Sequence, residues 1–204
     1  MQYFDIFNGD ADGICALQQL RLHEPRPAAR LLSGVKRDIA LLDQVTEESN
    51  TIFTVLDISL DKNRVSLEKI LAGGNTVFYV DHHYAGELPD SELLIAHIDP
   101  QPLICTSLII NQLLEGKYAL WAVAGAFGDN LDESAEQLAK KVGVEQAALA
   151  QLKETGILLN YNGYGASLKD LFFHPVELFR QVQPYANPLD FYANAPALQT
   201  LKQG

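Results

Sequence analysis

Asn8-Gly-Asp-Ala-Asp-Gly13 places two carboxylates, Asp10 and Asp12, two residues apart between two glycines. Three further groups of the same chemical kind follow along the chain: Asp57, the run Asp81-His82-His83, and Asp129 in Gly128-Asp-Asn130. Carboxylate oxygens and imidazole nitrogens without thiolates form the ligand mixture of manganese-like divalent ions, not of structural zinc. Each group also has an ordinary reading. Asp57 and Asp129 could cap turns or helices, and Asp81-His82-His83 could be a solvated loop. Asn-x-Asp-x-Asp-Gly also matches the opening of a calcium-binding EF-hand loop. That loop requires a Glu where Gln19 stands and a preceding helix where an apolar run stands.

Such groups do chemistry only if rigid elements deliver them to one place. Tyr3–Phe7 reads as a first strand leading into Asn8-Gly-Asp-Ala-Asp-Gly13, and residues 14–22 read as a helix broken by Glu24-Pro-Arg-Pro27. Residues 29–32 are a second strand ending at Ser33-Gly-Val-Lys-Arg37, followed by an expected helix over 38–45. Thr51–Leu56 is a third strand that ends at Asp57, and a helix over 62–71 stops at Gly73-Gly74. Asn75–Val80 is the fourth, and residues 93–97 supply a candidate fifth. The alternation predicts an α/β fold, a doubly wound parallel sheet followed by a helical segment. In such sheets ligands bind at the carboxyl ends of the strands, where Asp10, Asp57 and Asp81 would emerge. Helical periodicity alone follows, at about 104–115, 117–128, 131–142 and 145–159. Beyond it comes a Gly-, Asn-, Tyr- and Pro-rich stretch with a candidate helix near 175–183. Pro184 and Pro188 predict an irregular connection there.

The four groups, in this order and on these elements, resemble the DHH phosphoesterase superfamily. That superfamily includes RecJ-type exonucleases, small-oligonucleotide and cyclic-dinucleotide phosphodiesterases, and family II pyrophosphatases. The resemblance covers most of residues 1–160, the expected catalytic domain, leaving 161–204 as an irregular or helical extension. It implies a metal-dependent phosphoesterase, a hydrolase of nuclease-like kind, with two divalent ions: manganese first, magnesium as the alternative. It also implies roles. Asp10 would bind one metal and Asp12 the other, with Asp57 bridging. His82 and Asp129 would complete the ligands of the second metal, and Asn8 would offer the first a neutral oxygen. His83 would face the substrate phosphate and Asp81 would orient the imidazoles. Relatives that hydrolyse pyrophosphate carry a His where Ile6 stands, which favours the nuclease-like branch.

Softer candidates surround this set. Lys36 and Arg37 follow the second strand, and Arg37 is the expected phosphate clamp. His97 reads as a packed or surface histidine, and Cys105-Thr-Ser107 as the opening of an apolar helix with Cys105 buried. Leu159-Asn-Tyr-Asn-Gly-Tyr-Gly165 reads as a substrate-side or hinge segment. Members of the superfamily usually carry a second, C-terminal substrate domain, and none fits after residue 160. The chain is therefore expected to be a catalytic-domain-only member or a fragment.

The bulk composition narrows the partners. The 204 residues carry a formal charge of -11 and no run of basic residues longer than a pair. That excludes an electrostatic track for long nucleic acid, duplex above all. The expected partner is a phosphate-ester small molecule or a short single-stranded oligonucleotide, with homodimer formation left open. Two cysteines, no signal-peptide pattern and no long apolar run predict a cytoplasmic protein that spans no membrane. Two other readings of the same motifs remain open: a non-catalytic nucleotide-binding or regulatory module, and a phosphoanhydride or monoester hydrolase.

Overall fold

A computed structural model describes residues 1–165 and 167–203. Its sheet has the parallel strands β1 (Gln2–Asn8), β2 (Arg30–Gly34), β3 (Thr51–Leu56), β4 (Thr76–Asp81) and β5 (Leu94–Ile98). Their spatial order is β2-β1-β3-β4-β5. Strand β1 thus lies between β2 and β3, and the winding direction reverses beside it. That reversal opens a crevice at the carboxyl ends of β1 and β3. The strands form where Phe, Ile, Val and Tyr are concentrated, and Phe53, Val55, Val77 and Tyr79 are fully buried.

Helix α1 (Ala11–His23) begins immediately after the Asp-rich turn and is buried along most of its length. It is surrounded by α3 (Thr106–Leu113), α4 (Ala119–Gly128) and α6 (Gln146–Asn162). Helix α4 is apolar on every side, as a helix enclosed by others must be. Its Gly128 faces Gly156 of α6: a Cβ added at Gly128 would lie 2.8 Å from the Gly156 carbonyl oxygen and 2.2 Å from the Ala11 Cβ. The absent side chains let three helices meet at near-backbone contact. Helix α2 (Leu60–Ala72) covers the other face of the sheet, and α5 (Asp132–Lys141) packs on α4.

Two expectations are corrected. The helix expected over 38–45 is a 3-10 turn, Leu41–Val45. The Asn63 side chain accepts from Leu42 N at 3.2 Å and donates to the Ile39 carbonyl. It thereby satisfies backbone groups that a helix would have paired with one another. An irregular connection holds Pro184 between α7 (Pro175–Val182) and Pro188, but Pro188 opens a further helix, α8 (Pro188–Asn194), and α9 (Pro196–Gln203) follows. Pro175, Pro188 and Pro196 each occupy the first position of their helix. There a missing N–H costs nothing and the fixed φ suits the helix. His174 and Asn187 cap the first two from their side chains. Phe179, Phe191, Leu198 and Leu201 are buried in one cluster with Phe7, Leu17 and Trp121, and the Phe7 and Phe179 rings lie 5.4 Å apart. Among the described residues no helix is long and apolar enough to cross a membrane.

Candidate metal and phosphate site

The crevice beside β1 is a cleft of about 330 Å³ lined by Asn8, Asp10, Lys36, Asp57, His82, His83 and Asp129, among others. The ends of β1, β2, β3 and β4, the start of α1 and the end of α4 supply these residues.

Asp10 is the N-cap of α1, and its Oδ1 accepts from Asp12 N at 3.1 Å and Gly13 N at 3.2 Å. Gly13 is required at this turn, since a Cβ there would stand 2.3 Å from the Asn8 carbonyl oxygen. Asp12 points from the first turn of α1 to the N-terminus of α3. Its Oδ2 accepts from Thr106 N and its Oδ1 from Ser107 N, both at 2.7 Å. Those donors and the helix dipole fix the orientation of a buried carboxylate. The N-terminus of α3 is thus capped from a distant segment: Cys105 is its N-cap residue, and the Cys105 side chain makes no capping bond.

Asp57 leaves β3 with a φ of 58°, a left-handed conformation unusual for a residue other than glycine. Its Oδ1 accepts from Thr106 Oγ1 at 3.2 Å and lies 3.3 Å from His82 Nε2. His82 Nδ1 donates to the Ile104 carbonyl at 3.1 Å, which turns Nε2 towards Asp57 and towards Asp129 Oδ2, 3.8 Å away. Asp81 is fully buried. Its Oδ1 accepts from His82 N at 2.9 Å and from His83 Nδ1 at 2.7 Å. Asp81 thus bonds to the His83 ring, whereas the His82 ring bonds to the Ile104 carbonyl.

The electrostatics follow from crowding. Burial, and then the charges of Asp12, Asp10, Asp81 and Asp129, raise the Asp57 carboxyl well above the usual carboxylate range. Burial and the charges of Asp12 and Asp10 push Asp129 up to about 6, against the opposing pull of His82 and Lys36. The hydrogen bond to Asp81 raises the His83 pKa despite burial, with help from the Asp81, Asp129 and Asp12 charges. Burial disfavours the Lys36 cation, yet the charge and hydrogen bond of Asp10 outweigh it and hold its pKa above the ordinary value.

The donor set fits a divalent ion. Ligand atoms of Asp12, His82 and Asp129 lie within 4.8 Å of one another, as do those of Asp57, His82 and His83. Asn8 Oδ1 is buried without a hydrogen-bond partner at the edge of the same cleft. An orphaned hard oxygen beside mutually repelling carboxylates is what a bound cation would relieve.

Arg37 does not join the site: it is exposed and faces a separate depression formed with Ser167, Leu168 and Lys169. Lys36 turns inward instead. Its backbone N–H donates to the Gly163 carbonyl at 3.1 Å, and its Nζ lies 2.8 Å from Asp10 Oδ2. The segment 159–165 lies beside the cleft, through Asn160 Oδ1 at 3.1 Å from Lys36 Nζ. His97 lies on β5 against Phe78, outside the cleft, and Cys105 is buried. Lys36 stood among the softer candidates without a role of its own, whereas the contacts of the Thr106 hydroxyl and the Ile104 carbonyl with the site were not foreseen.

No family model and no curated protein matches the sequence. Solved structures do match its fold. Exonuclease RecJ bound to manganese superposes with a TM-score of 0.56 at 16% identity, over 99% of this chain and 60% of that one. The DHH domain of a member of the s1p family of ribosomal proteins gives 0.57 at 12% identity, over 99% and 57%. RecJ of Thermus thermophilus in complex with Mn2+ gives 0.50 at 15% identity, over 99% of this chain and 34% of that one. The chain therefore spans about 60% or less of the length of these relatives in fold.

Proposed function

We propose, from the DHH-domain fold as premise, that this chain is a divalent-metal-dependent phosphoesterase cleaving phosphodiester bonds of short oligonucleotides or nucleotide-like molecules. The convergence of Asp12, Asp57 and Asp129 on His82 supports this reading most directly. These four would hold one ion. Asp10 and Asn8, sharing Asp57, would hold a second, with residues 1–160 as the catalytic unit. Manganese suits the mixture of carboxylates and imidazole, with magnesium as the alternative. When bound, such ions supply a water of lowered pKa and offset the charge that develops on phosphorus.

The chain's own groups do the rest. His83, its Nδ1 held by Asp81, exposes Nε2 at the mouth of the cleft. The Asp81 hydrogen bond raises the His83 pKa above the ordinary imidazole value, which suits binding a phosphate oxygen or passing a proton to the leaving oxygen. The Thr106 hydroxyl and the Ile104 carbonyl keep Asp57 and His82 aligned before substrate arrives. The cleft of about 330 Å³ and the net charge of -11 favour a short substrate over a long strand.

The test is hydrolysis of an aryl phosphodiester and of short oligonucleotides with manganese, beside Asp57→Asn. Metal-dependent turnover that Asp57→Asn abolishes is the expected result. Turnover indifferent to Asp57→Asn would reject the metal mechanism. Nucleotide binding without turnover under any metal would make the chain a binding module.

A further inference from the structure

We propose that the Lys36 ammonium is a resident cation at the Asp10 end of the cleft, so that one divalent ion binds tightly and a second enters only by displacing Lys36. This inference rests on the metal reading above and concerns how the site fills. Lys36 Nζ lies 2.8 Å from Asp10 Oδ2, 3.7 Å from Asp129 Oδ1 and 3.1 Å from Asn160 Oδ1. Three oxygens from three separate segments thus surround one positive charge. The other Asp10 oxygen is committed to capping α1, which leaves Oδ2 as its free ligand atom. Among the described residues, the two groups of three side chains whose ligand atoms lie within 4.8 Å of one another, Asp12-His82-Asp129 and Asp57-His82-His83, do not include Asp10.

The arrangement is built into the backbone. Strand β2 ends at Gly34, and the Lys36 N–H is anchored on the Gly163 carbonyl, which aims this lysine and not Arg37 into the cleft. Its side chain is 29% exposed and passes the Tyr164 ring, with Nζ 5.6 Å from the ring centroid. Asp10, Asp12, Asp57 and Asp129 gather up to four negative charges, and a tethered ammonium offsets one of them without any ion from solution. An ion at Asp12, Asp57, His82 and Asp129 meets oxygens that already accept uncharged N–H and O–H donors, and Lys36 Nζ stays 3.7 Å from Asp129 Oδ1. An ion at Asp10 must first remove a positive charge from hydrogen-bond distance.

The test is calorimetric titration of the chelator-stripped protein with Mn2+, comparing the wild type with Lys36→Gln and Lys36→Arg, each checked for folding by circular dichroism. The wild type should show one tight ion and a second at least about tenfold weaker. Lys36→Gln should tighten the second ion by about tenfold or more, leaving the first within about threefold, whereas Lys36→Arg, which keeps the charge, should match the wild type. Two equal affinities in the wild type, or an unchanged second affinity in Lys36→Gln, would overturn the inference and leave the metal site intact. Absence of any Mn2+ binding in all three proteins would overturn the metal reading and this inference with it.

Discussion

Asp129→Asn should stabilise the metal-free protein and weaken its metal-bound form. The Asp129 carboxyl titrates at about 6 in the fold against 3.8 ordinarily, because it is buried and faces Asp12 and Asp10. That difference of about two units amounts to roughly 3 kcal/mol, the cost of holding the ionised group there. The sign is that of a raised acid. Below the unfolded pKa of 3.8 both states are protonated and the cost is absent; it grows as pH rises and is complete once pH passes about 6. Metal-free protein should therefore lose stability between about pH 4 and 7 through this group, and Asp129→Asn should flatten that slope. At about pH 7.5 the variant should melt roughly 5–10 °C above the chelated wild type, less whatever the buried amide leaves unpaired. With saturating Mn2+ the order should reverse, because the wild type gains ligand-binding energy that the variant forgoes. The assay is thermal melting with chelator and with Mn2+ across about pH 4–8. A lower melting temperature for chelated Asp129→Asn at neutral pH, with the wild-type pH slope retained, would refute the account of charge crowding.

Four further perturbations probe different parts of the structure. His83→Gln should keep the Mn2+-induced rise in melting temperature while turnover falls by about a hundredfold or more, as for a group that meets substrate; loss of the rise would place His83 among the ligands. Thr106→Val removes the hydroxyl that holds Asp57 and should weaken Mn2+ affinity about tenfold, with Thr106→Ser restoring it, both read by calorimetry. Gly128→Ala drives a methyl group to 2.2 Å from the Ala11 Cβ and should cost about 2–3 kcal/mol in urea unfolding; a neutral effect would mean the three helices are less tightly apposed. Phe179→Ala should cost about 3–5 kcal/mol, since the ring is fully buried against Phe7, and a loss below about 1 kcal/mol would detach α7 from the core.

The strands that carry Asp10, Asp57 and Asp81 were legible because their signal is local. Each is a short run rich in β-branched and aromatic residues with a carboxylate at its end or within two positions of it, and the parallel order follows from the helices between them. Groups that reach the site through the backbone of a distant segment left no such trace. Nothing near Lys36 and Arg37 indicates which one turns inward; the Gly163 carbonyl decides, from 127 positions further along the chain. The Ile104 carbonyl that orients His82 has no side-chain signature at all. Residues 38–45 carry helical periodicity, but Asn63 of α2 captures their backbone groups. In the tail, Pro188 followed a usable signal, the capping residue Asn187, and starts a helix that a reading of proline as a breaker misses.

The most direct measurement is an anomalous difference map from a manganese-soaked crystal. A peak is expected in the cleft within coordination distance of Asp12, Asp57, His82 and Asp129. A map with no peak there, from crystals soaked at saturating manganese, would contradict the assignment of these four residues as metal ligands.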